Sequence, residues 1–193
     1  MAFTSAVFAQ GQFRLDNEVC TGGVAIVTPG GTLQYYTGTA GVEVWELNGT
    51  PNPAIINAIN SEQGWTAVSA YNLLAADGFM KETTLVGIQI TDGVINIASA
   101  INMPDVSPAA STVTVALAMW NNASSSWANM LANATAATRA GVIALPQATA
   151  NLPAAPPVIT TWNQDLVWDV PEPGWLSLAG LGAVVLWRFR GRR

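Results

Sequence analysis

Histidine is absent from the chain, and with it the usual general base near neutral pH and the commonest metal ligand. Acid–base chemistry would have to come from carboxylates, as in glycoside hydrolysis, where two acids stand roughly 5–10 Å apart across the scissile bond. The candidates are Glu43, Glu46, Asp77, Asp92 and Asp105. Alternation along 42–47 turns Val42 and Val44 inward and Glu43 outward, towards solvent. Asp92 precedes Gly93 in a turn, and Asp105 follows Pro104 in a loop. Surface and turn roles are therefore expected for these acids, with a carboxylate hydrolase as a remote alternative. No serine sits in a G-x-S-x-G elbow, and the acids lack the repeated spacing of a calcium loop. Cys20, the single cysteine, has no histidine to activate it. It is expected as a small buried apolar residue, with pairing between chains as the alternative. No catalytic residue, metal or cofactor is expected, and the sequons at Asn48, Asn122 and Asn133 are chance matches in an Asn- and Thr-rich chain.

The aromatic residues offer a second chemistry. Of eight tryptophans, six precede the C-terminal tail: Trp45, Trp65, Trp120, Trp127, Trp162 and Trp168. Indole faces stack on sugar rings, and Asn121, Asn122 and Asn163 stand near two of them. Trp45, opposite Val44 on its strand, is the candidate sugar contact. Core packing is the commoner use of Trp in a β-rich domain, so a polysaccharide-binding module is the second reading.

The elements that must position these residues are mostly strands. Half of the 193 residues are hydrophobic and only 10% are charged, with 17 Gly and 11 Pro, a mixture that favours short strands between turns. Strands are expected over 22–27, 42–47, 85–90, 94–97 and 113–120, and a last one through Leu166, Trp168 and Val170. Thr91-Asp92-Gly93 signals a hairpin. Two short helices interrupt them. One covers 53–60, with Ile55, Ile56 and Ile59 on one face. The other covers 126–139, with Trp127, Met130, Leu131 and Ala134 inward and Gly141 beyond its end. The expected class is mainly β: an antiparallel β-sandwich with one or two short helices, plus a single C-terminal transmembrane helix.

Charge divides the chain. Four of the seven basic residues, Arg188, Arg190, Arg192 and Arg193, follow Trp187. Residues 1–187 hold the other three basic residues and all twelve acids, a net charge of −9. Such a body has no basic groove for phosphates, and no nucleic-acid partner is expected. At the N-terminus, Met1–Ala9 reads as the remnant of a signal peptide, because Val7-Phe8-Ala9 places small residues as signal peptidase prefers. The mature domain is then 10–170. At the other end, 174–187 is a run of fourteen uncharged residues bounded by Trp175 and Trp187. As a helix it spans about 21 Å, against a hydrocarbon core of about 30 Å. Aromatic ends and an arginine cluster behind them suit a membrane anchor with Arg188 snorkelling to the inner surface.

Val170-Pro171-Glu172-Pro173-Gly174, the apolar run and the terminal arginines together resemble, in that order, the PEP-CTERM sorting signal of exported bacterial proteins. The likeness covers 170–193, with the tail proper at 171–193. Trp175 departs from the small hydroxyl residue usual there, and the apolar run is short. The resemblance implies that Pro171, Glu172 and Pro173 form a motif read by an exosortase, a membrane-embedded cysteine transpeptidase. Arg188, Arg190, Arg192 and Arg193 form the membrane stop signal. It further implies an exported, non-enzymatic protein, held at the inner membrane before processing and then released to the cell surface or an exopolysaccharide-rich extracellular matrix. Two prolines fix φ and withhold backbone donors, so the motif stays extended and open to an enzyme.

Overall fold

The computed structural model describes residues 11–28, 31–63, 66–104, 112–121, 123–135, 137–150 and 154–169. The fold is mainly β. Its strands are β1 (Gly11–Asp16), β2 (Val24–Val27), β3 (Leu33–Tyr35), β4 (Gly38–Leu47), β5 (Met80–Thr91), β6 (Val94–Met103), β7 (Thr112–Trp120), β8 (Ala140–Ala148) and β9 (Leu166–Trp168). Helices α1 (Pro53–Ser61) and α2 (Ala67–Ala76) follow β4, and α3 (Trp127–Ala132) lies between β7 and β8.

Six strands form one antiparallel sheet in the order β1-β6-β5-β4-β7-β8, and three form a smaller sheet, β3-β2-β9. The large sheet curls until its two edges meet through the chain that follows β8. Gln12 and Ala150 exchange backbone hydrogen bonds at 2.9 and 3.0 Å, the Arg14 N–H donates to Pro157 at 2.8 Å, and the Ile159 N–H to Asp16 at 3.0 Å. These bonds cover the outer edge of β1, one of the two that would otherwise invite pairing with another chain.

The hairpin expected at 91–93 is present: Asp92 and Gly93 both have positive φ, 49° and 79°, the conformation that Asp-Gly tolerates in a two-residue turn. The two hairpin strands pair only at Ile90↔Ile95 and Thr91↔Val94. On its other side β5 carries a bulge at Gly87, with φ of 74°, in its pairing with β4.

Two apolar clusters lie on opposite faces of the large sheet. One gathers Phe13, Leu15, Val42, Val44, Ile90, Leu117 and Ile143 with Val24, Leu166 and Trp168 of the small sheet. The other gathers Ala116, Ala118, Trp120 and Val142 with Ile59, Leu74, Trp127 and Met130 of the helices. β7 is buried along nearly its whole length because both of its faces are covered. Cys20 is half-buried, packed against the first cluster, and burial raises its thiol pKa, Asp16 adding to this while a backbone hydrogen bond from Trp162 opposes it.

Several expectations need correction. The sheets are not antiparallel throughout, since β2 and β9 run parallel. The described residues hold three helices, not one or two, and α2 was not anticipated. The helix expected over 126–139 ends at Ala132. There the Asn133 side chain turns back to the Asn129 carbonyl at 2.8 Å, and Thr135 and Thr138 bond across a tight turn, the local competition that disfavours helix. Among the described residues no helix is long and apolar enough to cross a membrane. The expected spanning segment, the motif Pro171-Glu172-Pro173, the terminal arginines and the signal remnant lie outside the described residues, as do Trp65 and Asp105.

Candidate functional site

The densest meeting of polar and aromatic side chains surrounds Glu43. Its position opposite Val42 and Val44 is as expected, but that face is not solvent: α2 and α3 cover it, and Glu43 is 1% exposed. A buried carboxylate is strongly disfavoured unless its oxygens are bonded. Here the Tyr71 hydroxyl of α2 donates to Oε2 at 2.8 Å, the Trp127 backbone N–H donates to Oε1 at 3.1 Å, and Lys81 Nζ of β5 lies 3.6 Å from Oε1. The Trp127 N–H is available because it opens α3: Ser126 caps the helix by accepting from the Asn129 N–H, which leaves the first helical N–H unsatisfied within the helix.

Four rings line this nest. Tyr71 stacks on Trp127 at 4.7 Å and 2°, meets Trp45 edge-on at 5.5 Å, and Trp127 meets Trp120 edge-on at 6.3 Å. Lys81 Nζ lies 6.0 Å over the Trp45 ring, within cation–π range. Gly41 permits the arrangement, since the Trp120 ring lies where a Cβ would stand. The Tyr71 phenol is pushed well above its ordinary pKa, first by burial, then by its hydrogen bond to Glu43 and by the charge of that carboxylate. Through these three contacts the carboxylate joins β4, β5, α2 and α3.

The remaining candidates do not gather around it. Glu46 is fully buried too, but alternation places it on the other face of β4 from Glu43. Asp77 closes α2 and Asp92 sits in the β5–β6 turn. Among the described residues no group of three or more acids and cysteines could hold a metal ion. Trp45 is half-buried against Tyr71 rather than exposed as a platform. Trp120, Trp127, Trp162 and Trp168 are at most 1% exposed. Asn121 ties the ends of the 121–139 excursion, accepting from the Arg139 N–H at 2.7 Å. Asn163 lines a groove of about 230 Å³ with Asn60, Thr161 and Gln164, and none of the described residues lining it is aromatic.

Sequence reasoning missed a second set of polar residues, those along the outer edge of β8. Asn60 of α1 bonds Ala144 twice, donating to its carbonyl and accepting from its N–H, both at 2.7 Å. Gln63 donates to the Val142 carbonyl at 3.0 Å and accepts from the Val167 N–H at 3.2 Å. The Thr161 hydroxyl reaches the Pro146 carbonyl, and Asp169 pairs with Ala140. Side-chain amides thus stand in for a missing neighbour strand. The only sequence signal was a pair of amides just inside and after a short helix, which has no specificity by itself. No protein-family model matches this chain, and no curated protein or solved structure matches it.

Proposed function

We propose that this is an exported, non-enzymatic surface or extracellular-matrix protein, delivered by a signal peptide and sorted by an exosortase-type transpeptidase at its C-terminal tail. The observation that carries the reading is the order of three parts within 171–193: Pro171-Glu172-Pro173, an uncharged run bounded by Trp175 and Trp187, and four arginines. The finer architecture goes with it: the two sheets as layers of a sandwich, and 174–187 as a single transmembrane helix anchored in the inner membrane until processing. The body supports the reading by how its groups are used. Glu43 is held by Tyr71, the Trp127 N–H and Lys81, the described tryptophans are packed into cores or against neighbours, and both edges of the large sheet are bonded. A durable module that resists pairing with its neighbours suits an extracellular setting shared with exopolysaccharide. Mass spectrometry of the protein from its native envelope tests the reading. The mature chain should begin at Gln10 and lack the peptide after the motif, whereas extracellular protein with Arg193 intact would sink it.

A further inference from the structure

The corner between β4 and α1 reads Leu47-Asn48-Gly49-Thr50-Pro51-Asn52. Asn48, Gly49 and Thr50 are all exposed. They lie beyond the last β4–β7 pair, Leu47↔Thr114, and before Asn52, which caps α1 by accepting from the Ala54 N–H at 3.0 Å. Gly49 has φ of 99°, with no atom within 4 Å of where a Cβ would stand. An asparagine amide carbon is open to attack by the backbone nitrogen of the next residue when that nitrogen can swing onto it. Glycine in the second position removes the Cβ that hinders the approach and frees the backbone to turn.

We infer that Asn48 is a site of spontaneous covalent modification, closing onto Gly49 to a succinimide and opening to aspartate or isoaspartate. The Gly49 nitrogen gives its proton to hydroxide and bonds to Asn48 Cγ. The bond from Cγ to the side-chain nitrogen breaks, and that nitrogen takes a proton from water, regenerating hydroxide, and leaves as ammonia. Water then adds to one of the two ring carbonyls and opens the ring. Nothing is oxidised or reduced, and solvent supplies both co-reactants. Asn48 is the one asparagine in the chain followed by glycine. Asn17 is 1% exposed and is followed by Glu18. Asn52 precedes Pro53, whose nitrogen has no proton to give. Opening to isoaspartate threads an extra carbon into the main chain and leaves a negative charge at the joint from which α1 hangs. That helix carries Asn60, so the change falls on the connection that holds the outer edge of β8. The inference is independent of how the protein is sorted.

The test is incubation of the purified full chain at mildly alkaline pH, followed by site-resolved peptide mapping. A synthetic peptide covering 46–52 runs alongside. The peptide spanning Asn48 should gain the small mass difference between amide and acid and separate into aspartate and isoaspartate forms. Its rate should rise with pH and stay within about tenfold of the free peptide, as expected for a corner outside the cooperative core. Asp77-Gly78 and Asp92-Gly93 can isomerise only without change of mass, so the mass gain reports Asn48. Asn48→Gln, at an exposed site, should fold normally and show no gain in that peptide. Intact Asn48 in the folded chain after the free peptide has converted would overturn the inference, and so would an undiminished gain in Asn48→Gln.

Discussion

Glu43 is where a single substitution should reveal most about the body. Replacing it by Ala leaves the Tyr71 hydroxyl and the Trp127 N–H without their acceptor, at about 1–3 kcal/mol for each buried group left unsatisfied, while Lys81, 44% exposed, turns to solvent. Tyr71→Phe removes one charge-assisted hydrogen bond and keeps the stacked ring, so about 1.5–3 kcal/mol is expected from denaturant titration. Because the two residues touch, their effects should not add; a double-mutant cycle that proved additive would dissolve the proposed link. The same contact sets an alkaline limit. The Tyr71 pKa is raised in the folded state, so the folded chain holds that proton more tightly than the unfolded one does. The stability this contributes is fully present below the unfolded phenol value of about 10 and is lost as pH climbs through the folded value. Tyr36 is raised by burial and acts in the same direction. Tyr71→Phe should therefore flatten, without abolishing, the fall of melting temperature above pH about 10. An unchanged alkaline slope in Tyr71→Phe would refute this account.

At the scale of elements, the sequence was most legible where one local rule sufficed. Alternation located β4, the Asp92-Gly93 pair located the β5–β6 turn, and a continuous β-branched and apolar run located β7. Leu117, in the middle of that strand, is fully buried; Leu117→Ala should cost about 2–5 kcal/mol, and a near-neutral effect would mean the site collapses without a cavity. What could not be read depended on neighbours. The α2 segment, AVSAYNLLAA, has apolar or small residues on nearly every side, so no stripe marks it as a helix. Missing it left Glu43 nothing to be buried under, which is why a strand face covered by helices was read as wet. β8 was hidden because Gly141 was read as the stop of a helix and Pro146 interrupts the run. Gly141 admits the side chains of Leu166 and Trp168. Pro146 occupies a position whose backbone points to the outer edge, where a missing N–H breaks no ladder bond. Asn60 and Gln63 close that same edge. Replacing both by Ala should leave Ala144 and Val142 unpaired and promote concentration-dependent self-association by strand addition. A double variant that stays monomeric in sedimentation would show that the covering helix alone protects the edge.

For the whole molecule, the decisive matter is whether 174–187 belongs to the body or to a membrane. Among the described residues the two apolar clusters draw on side chains from Phe13 to Trp168, and Asp169 pairs with Ala140. If 174–187 is a helix, Leu176, Leu178, Leu181, Val184, Val185 and Leu186 are spread around it with Gly and Ala between them, and it has no polar face to offer water on a soluble domain. On the proposed reading the arginines behind it lie at the inner membrane surface. Ending the chain after Val170 should thus leave the melting temperature of the body unchanged and make detergent unnecessary for its purification. Ending it after Trp162 provides the contrast. That cut removes Leu166 and Trp168, both fully buried, together with the strand that pairs with β2, so the body should no longer fold cooperatively. If the longer truncate, ending at Val170, also unfolds, the apolar run is part of the core, and the sorting signal loses the membrane segment on which its three-part order depends.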